Sequence, residues 1–250
     1  MASRDTHVPH AIWGTITLQD VAYQFGLHIN GFSLMVGGKP ACEWFEELFG
    51  ELPPEDCIEE FIVSYGWFQN KFIVTLTDTT EAMVQVYACG YIMMLLSTML
   101  FGDNSGARVH LQWLPYVAGL NGLGKYSWSS ATLSLYSFQS DVKNLAVPLA
   151  LLQSWIFWRL PTFRTRGFDV ILWLLTSRWG RYMSSSDEKG LRVIATRHRL
   201  DILRVDDFIW MPYNALEIIQ VVHLDILRPE HTHLWKLTTA LIYFSSIEWQ

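Results

Sequence analysis

Residues Thr79–Tyr136 read TTEAMVQVYACGYIMMLLSTMLFGDNSGARVHLQWLPYVAGLNGLGKYSWSSATLSLY, and we expect the fold to be organised around them. No charged residue occurs between Glu81 and Asp103. A helix of that composition is apolar on every face, so we expect it to be buried on every face. It would be about 30 Å long, roughly the diameter of a small domain. The stretch therefore predicts a central helix with the rest of the chain packed around it.

Turn and cap residues predict the elements that surround this helix. Thr17 is a good N-cap for a helix over Leu18–Phe25. Ile12–Thr17 and Phe32–Val36 are apolar enough to pair as a small hairpin. The apolar segment Leu234–Trp249 is predicted to be the last helix. The fold class predicted is mainly α, a compact helical domain around a buried central helix with a small N-terminal β-hairpin.

Composition agrees with one folded domain. The chain has 250 residues, of which 50% are hydrophobic and 17% are charged, a balance typical of globular proteins. We therefore expect a single domain over residues 1–250. The polar segment near 182–190 (YMSSSDEKG over Tyr182–Gly190) is the best candidate for an internal linker. Three cysteines without paired spacing predict no disulfide framework.

The uncharged run over Ala82–Gly102 is long enough to span a bilayer. Its flanking residues are the acids Glu81 and Asp103, whereas membrane spans favour basic flanks. A buried core helix explains the run with less strain. We expect no contact with a membrane.

Charge is unevenly distributed around a net value of −6. Residues 1–60 hold ten acids and two bases, giving −8, and residues 159–204 hold ten bases and four acids, giving +6. A helix beginning after Ser185 carries bases away from its apolar stripe, either as a solvated face or as a contact for nucleic acid or an acidic partner. Because the whole chain is acidic, weak or no binding to naked duplex is expected. The bases predicted to be exposed there are Lys189, Arg192, Arg197 and Arg199.

No arrangement of acids, histidines or glycines predicts catalysis. A two-metal site needs three converging carboxylates, and Asp103, Asp169 and Asp207 are no better candidates than many others. The histidines at 231 and 233 lack a companion Cys pair. We expect no catalytic residue, no metal ligand and no cofactor site. Asp103 and Arg108 flank the turn after the central helix, and both are predicted to have structural roles there.

The motifs of this chain resemble those of the plant mobile domain family, found in plant transposable elements and in host proteins derived from them. The long apolar helix runs into a characteristic aromatic and glycine-rich block, and further blocks follow the family's order. The blocks are Gly14–Leu27, Leu100–Tyr136, Pro148–Pro161, Ile209–Tyr213 and Leu234–Gln250. The family pattern usually extends beyond both ends of this sequence, so a shortened copy is expected.

The resemblance implies a non-catalytic nuclear protein-interaction domain. Its expected roles are transposon silencing, genome stability, regulation of gene expression and meristem maintenance. The implied partners are other mobile-domain proteins or phosphatase-like proteins. An aminotransferase-like activity, with which the family has been labelled, would need a Schiff-base lysine, and Lys125 stands where the family often has arginine. The alternative is a nucleic-acid-binding or transposition accessory factor encoded by a transposable element.

Overall fold

A computed structural model describes residues 15–34, 39–59, 61–73, 80–101, 107–138, 149–180, 182, 189–237, 240–243 and 246–249, with the backbone alone at 136–138, 189–192, 240, 242–243 and 246–249. The chain forms two compact units, and each combines two separate segments. The first unit contains Met1–Gly26 and Leu149–Leu227, and the second contains Leu27–Pro148 and Arg228–Gln250. The single domain predicted over 1–250 and the linker near 182–190 stay predictions, since most of that linker lies outside the described residues.

The architecture is mainly α, as predicted. Short 3-10 turns and a few strands connect the helices. The helices are α1 (Leu18–Phe25), α2 (Ala41–Phe49), α3 (Tyr65–Phe72), α4 (Glu81–Leu95), α5 (Leu114–Val117), α6 (Trp128–Phe138), α7 (Leu149–Arg159), α8 (Lys189–Asp201), α9 (Leu216–Ile219) and α10 (Pro229–Leu234).

Helix α1 begins and ends at the predicted residues because its caps are local. The Thr17 side chain accepts a hydrogen bond from the Asp20 amide, and the Asp20 carboxylate accepts one from the Thr17 amide. This reciprocal pair is a capping box. Gly26 ends the helix with a φ of 67°, a left-handed conformation that glycine adopts without a steric penalty.

Helix α4 is the predicted central helix, but it is not buried on every face. Cys89, Gly90, Met93 and Met94 are buried, whereas other apolar positions are exposed. The helix continues as a π turn over Leu96–Leu100. Burial on one side only corrects the expectation drawn from the sequence. When a helix has apolar residues on every side, its sequence does not show whether one side or every side is buried.

The core of the second unit is aromatic. Phe68 lies 5.7 Å from Phe49 and 5.0 Å from Phe72 between ring centroids. Gly90 brings α4 against this cluster, since a Cβ at that position would lie 2.8 Å from the Phe72 ring. The Cys89 thiol donates to the Val117 carbonyl at 3.1 Å. These contacts tie α3, α4 and α5 together.

A small antiparallel sheet consists of β1 (Ile58–Glu59), β2 (Ile62–Ser64) and β3 (Arg108–His110), in the order β1-β2-β3. The N-terminal hairpin predicted from Ile12–Thr17 and Phe32–Val36 lies partly outside the described residues. In the part that the structure describes, Phe32 instead forms a parallel bridge with Tyr126.

The C-terminal segment is a hairpin, and the helix predicted over Leu234–Trp249 is wrong. Strand β4 (Ala240–Tyr243) pairs antiparallel with β5 (Ser246–Trp249), and Ile242 lies opposite Ile247. Branched and aromatic side chains favour strands, and here that preference outweighed the apolar spacing.

Candidate interaction surfaces

The outer face of α4 is an uncovered apolar stripe. Tyr91, Leu95 and Met99 lie four residues apart, so they share one face of the helix. Their exposed fractions are 51%, 55% and 60%. Ile73, at the end of α3, is 63% exposed. We call Ile73, Tyr91, Leu95 and Met99 the α4 face.

A groove runs beside the α4 face, between α3 and α4. Its volume is about 150 Å³, and its lining is mainly apolar and aromatic. The lining residues are Tyr65, Gln69, Ile73, Tyr91, Met94, Leu95 and Thr98. The Tyr91 hydroxyl donates to the Phe72 carbonyl at 3.2 Å, which fixes the ring at the edge of the groove. An aromatic side chain held at the edge of an apolar groove is typical of protein-binding surfaces.

By length and composition, Glu81–Leu100 could also cross a membrane. The core helix of a globular protein passes the same test. In this chain Cys89 and Gly90 pack against protein on the inner side of the helix.

Helix α8 carries the bases predicted to contact a partner. Arg197 and Arg199 are exposed, and the side chains of Lys189 and Arg192 lie outside the described residues. The Arg199 guanidinium donates to the Thr162 carbonyl and lies 4.6 Å from the centroid of the Phe163 ring. Arg199 therefore has an internal role as well, which anchors α8 to the turn after α7.

The described apolar side chains of α8 and of Ile202, the residue just after it, are exposed together with the described bases. Val193, Ile194 and Ile202 have exposed fractions of 61%, 67% and 61%. Every described side chain from Val193 to Asp201 is exposed. The sequence predicts an apolar stripe on this helix, and the structure leaves its described part, from Ile194 to Ile202, exposed.

The structure places Arg108 in β3, exposed and opposite Ser64 of β2. Asp103 lies outside the described residues. The turn in which these two residues were expected to act is therefore not described, and their structural roles stay predictions.

A buried polar cluster lies in the first unit. Its members are Asp20, Gln24, Arg159 and Tyr213, with exposed fractions of 0%, 0%, 7% and 2%. The Arg159 guanidinium and the Tyr213 hydroxyl donate to the same Asp20 oxygen, at 2.9 Å and 2.6 Å. The other Asp20 oxygen accepts from the amide and hydroxyl of Thr17 at 2.9 Å and 2.8 Å.

The cluster also fixes an exposed loop. The Arg159 guanidinium donates to the Trp210 carbonyl, and the Ile209 amide donates to the Arg159 carbonyl at 2.8 Å. Trp210 and Met211 have exposed fractions of 51% and 67%. Burial, and then the Asp20 carboxylate, raise the pKa of Tyr213 well above its ordinary value, so the phenol stays a donor. The chemistry of the cluster is structural, since the cluster is enclosed and both oxygens of its carboxylate already accept hydrogen bonds.

Sequence reasoning missed this cluster, although it had singled out all three segments that meet there. Asp20 comes from Gly14–Leu27, Arg159 from Pro148–Pro161 and Tyr213 from Ile209–Tyr213. A signal was present, because Arg159 follows an uncharged apolar stretch that is expected to be buried. A charge at the end of such a stretch needs a partner of opposite sign.

Within the described residues, no group of three or more His, Cys, Asp or Glu side chains could hold a metal ion. His231 is buried and His233 is exposed. The sequence favours exposed loop histidines for this pair, and the buried His231, which belongs to α10, corrects that interpretation.

Residues 3–250 match a family model described as the plant mobile domain. Similar proteins from Arabidopsis thaliana include one named "Serine/threonine-protein phosphatase 7 long form homolog", which is 28% identical over 98% of this chain and 20% of its own length. Another, "Protein MAIN-LIKE 1", is 26% identical over 98% of this chain and 49% of its own length. "Protein MAIN-LIKE 2" is 24% identical over 85% of this chain and 34% of its own length.

The chain thus spans between a fifth and a half of the length of these relatives. None of the solved structures matches the chain.

Proposed function

The chain belongs to the plant mobile domain family, and on that basis we propose that it is a non-catalytic protein-interaction domain of the nucleus. Its proposed roles are transposon silencing, genome stability and the regulation of gene expression. It would act by binding other proteins, with no reaction of its own.

The α4 face is the observation that carries this proposal. Monomeric proteins seldom expose contiguous apolar patches without a use for them. Tyr91, Leu95 and Met99 form such a patch along a helix that has no charge after Glu81, and Ile73 extends it toward α3. An uncharged apolar surface suits a protein partner, whereas a phosphate backbone would need bases.

The proposed partners are other mobile-domain proteins or phosphatase-like proteins. The match to one fifth of a protein named as a phosphatase homologue supports the second class. In that relative, the sequence similar to this chain is part of a much longer protein.

A nuclear pull-down with the purified domain tests the proposal. The wild type, Leu95→Asp and Leu237→Asp would be compared, each with and without nuclease. Leu95 and Leu237 belong to the second unit and are both 55% exposed, so the two variants change similar surface area at different places. We expect nuclease-resistant recovery of a mobile-domain or phosphatase-like protein by the wild type and Leu237→Asp but not by Leu95→Asp. Equal recovery by all three would show that the α4 face is not the binding surface.

The alternative is a nucleic-acid-binding or transposition accessory factor, and the exposed bases of α8 favour it. Binding through phosphates weakens steeply with salt, by about 100-fold between about 50 and about 200 mM for four contacts. A gel-shift titration at two salt concentrations would compare the wild type with a variant in which Lys189, Arg192, Arg197 and Arg199 are all alanine. We expect weak or no binding at physiological salt because the chain has a net charge of −6. Tight, salt-sensitive binding that this variant loses would favour the alternative.

A further inference from the structure

We propose that α8 is a second docking surface, and that its partner is an acidic amphipathic segment of another protein. This surface lies in the first unit, apart in sequence from the α4 face. It deepens the proposed function by assigning a partner chemistry, and it can be tested without knowing the nuclear partner.

The first argument is that α8 is uncovered over its described side chains, from Val193 onward. A surface helix normally turns its apolar stripe toward the core. Here Ile194 and Ile202, eight residues apart and on one face, are 67% and 61% exposed. Val193, at 61%, adds apolar surface beside them. Leu203, just after the helix, is buried and joins the helix end to its unit.

The second argument is that the helix is held in place. The Arg199 side chain reaches the Thr162 carbonyl and the Phe163 ring. Since α8 is anchored by this side chain, its outer face is presented before any partner binds. A surface formed in advance needs less ordering on binding.

The third argument is charge complementarity. Lys189–Arg204 contains five bases and one acid, Asp201, with His198 in addition. Arg197 and Arg204 are exposed and have no acidic ion-pair partner within the described residues. Acidic side chains around an apolar stripe would match both features of α8.

The same observations disfavour two other occupants. A nucleic-acid backbone would use the arginines but would leave Ile194 and Ile202 in water. Helices that lie in a membrane surface usually carry aromatic anchors beside their leucines, and Lys189–Asp201 has two leucines but no Trp, Tyr or Phe. A protein segment uses the bases and the branched side chains together.

Fluorescence anisotropy with a synthetic peptide tests the proposal. The probe is a labelled helical peptide with leucines at positions i, i+3, i+4 and i+7 and glutamates elsewhere. A matched peptide has glutamine in place of each leucine. The full chain would be titrated as wild type, as the double variant Ile194→Ser/Ile202→Ser, and as Arg197→Glu. Two control variants, Val170→Ser and Arg166→Glu, change exposed residues of the same unit outside α8.

We expect the Glu-Leu peptide to bind the wild type and both control variants. Each α8 variant should weaken binding by about tenfold, as truncation of a central contact does. Circular dichroism should show unchanged folding, since all the substituted side chains are exposed.

Three outcomes would overturn the proposal. They are no binding of the Glu-Leu peptide, equal binding of the Glu-Gln peptide, and tighter binding of duplex DNA or of phosphatidylserine vesicles at the same salt. None of these outcomes bears on the comparison of Leu95→Asp with Leu237→Asp, so failure here is distinguishable from failure of the proposed function.

Discussion

The Asp20 carboxylate and the Arg159 guanidinium meet at 2.9 Å inside the first unit, although they stand 139 residues apart in the sequence. Helix α1 supplies the acid and the end of α7 supplies the base. Buried charges need such partners, and this pair makes both segments depend on one contact. The exposed loop at Trp210 also depends on it, through the second guanidinium bond.

Replacing Arg159 with methionine should strongly destabilise the first unit. The Asp20 carboxylate would stay buried without its ion partner, at a cost of about 3–5 kcal/mol in the free energy of unfolding. Urea denaturation followed by tryptophan fluorescence would measure the change.

Arg166→Met is the matched control, since Arg166 is an exposed arginine of the same unit. The double variant Asp20→Asn/Arg159→Met should recover part of the loss, because the buried charge is then gone. Wild-type stability of Arg159→Met would contradict the ion pair.

Tyr213 should make the fold sensitive to alkali. Burial and the Asp20 carboxylate raise its pKa in the folded chain, whereas the unfolded chain ionises it near the ordinary value. Above about pH 10 the folded state then binds more protons than the unfolded state, so stability falls as pH rises toward the folded pKa. The contribution is fully present below pH 10.

The measurement is the free energy of unfolding of wild type and Tyr213→Phe over the alkaline range. The variant should be less stable at neutral pH, because the Gln24 amide and Asp20 lose a partner at 2.7 Å and 2.6 Å. It should also lose less stability at high pH. Identical pH slopes in the two proteins would refute this role of Tyr213.

Truncation should cost much more stability at Leu96 than at Leu95. Leu96 is 5% exposed and Leu95 is 55% exposed, although the sequence predicted that both belong to the core. Leu96→Ala should cost about 2–5 kcal/mol, while Leu95→Ala should stay within about 0.5 kcal/mol of wild type. Thermal melting of the two variants would test this prediction. Equal losses of stability would mean that the outer side of α4 is covered.

Gly90→Ala should loosen the contact between α3 and α4. The added methyl group would lie 2.8 Å from the Phe72 ring, too close without movement of the ring or the helix. Overpacking of this kind costs about 1–3 kcal/mol. Calorimetry would compare it with Ala82→Gly, at an exposed position of the same helix.

Combining Gly90→Ala with Phe72→Leu should recover part of that loss, because the smaller side chain leaves room. A double variant as unstable as the sum of the single variants would argue that Gly90 and Phe72 do not touch.

The features that could be predicted from the sequence are those that depend on near neighbours. The Thr17 and Asp20 caps and the Gly26 stop are local, so α1 was predicted residue for residue. The uncharged α4 was also identified, because composition alone marks a long apolar helix.

The features that were missed depend on distant or absent neighbours. Tyr213 contacts Asp20 across 193 residues, and no local pattern connects them. Whether Leu95 is exposed depends on which segments pack against α4. The spacing of apolar residues cannot show this, because no charged residue after Glu81 marks an outer side of the helix. No Gly or Pro interrupts Leu234–Trp249, so no local signal separates β4 from β5.

The discontinuous first unit has a consequence for how the chain is made. Asp20 leaves the ribosome 139 residues ahead of Arg159, an interval of about 7–28 s at about 5–20 residues per second. During it α1 is an eight-residue segment with no tertiary partner, too short to hold a helix in water. Its acid therefore stays hydrated while all of Leu27–Pro148 is synthesised. A ribosome-bound chain arrested before Arg159 should be cleaved by protease near Val21, and release of the full chain should end that sensitivity.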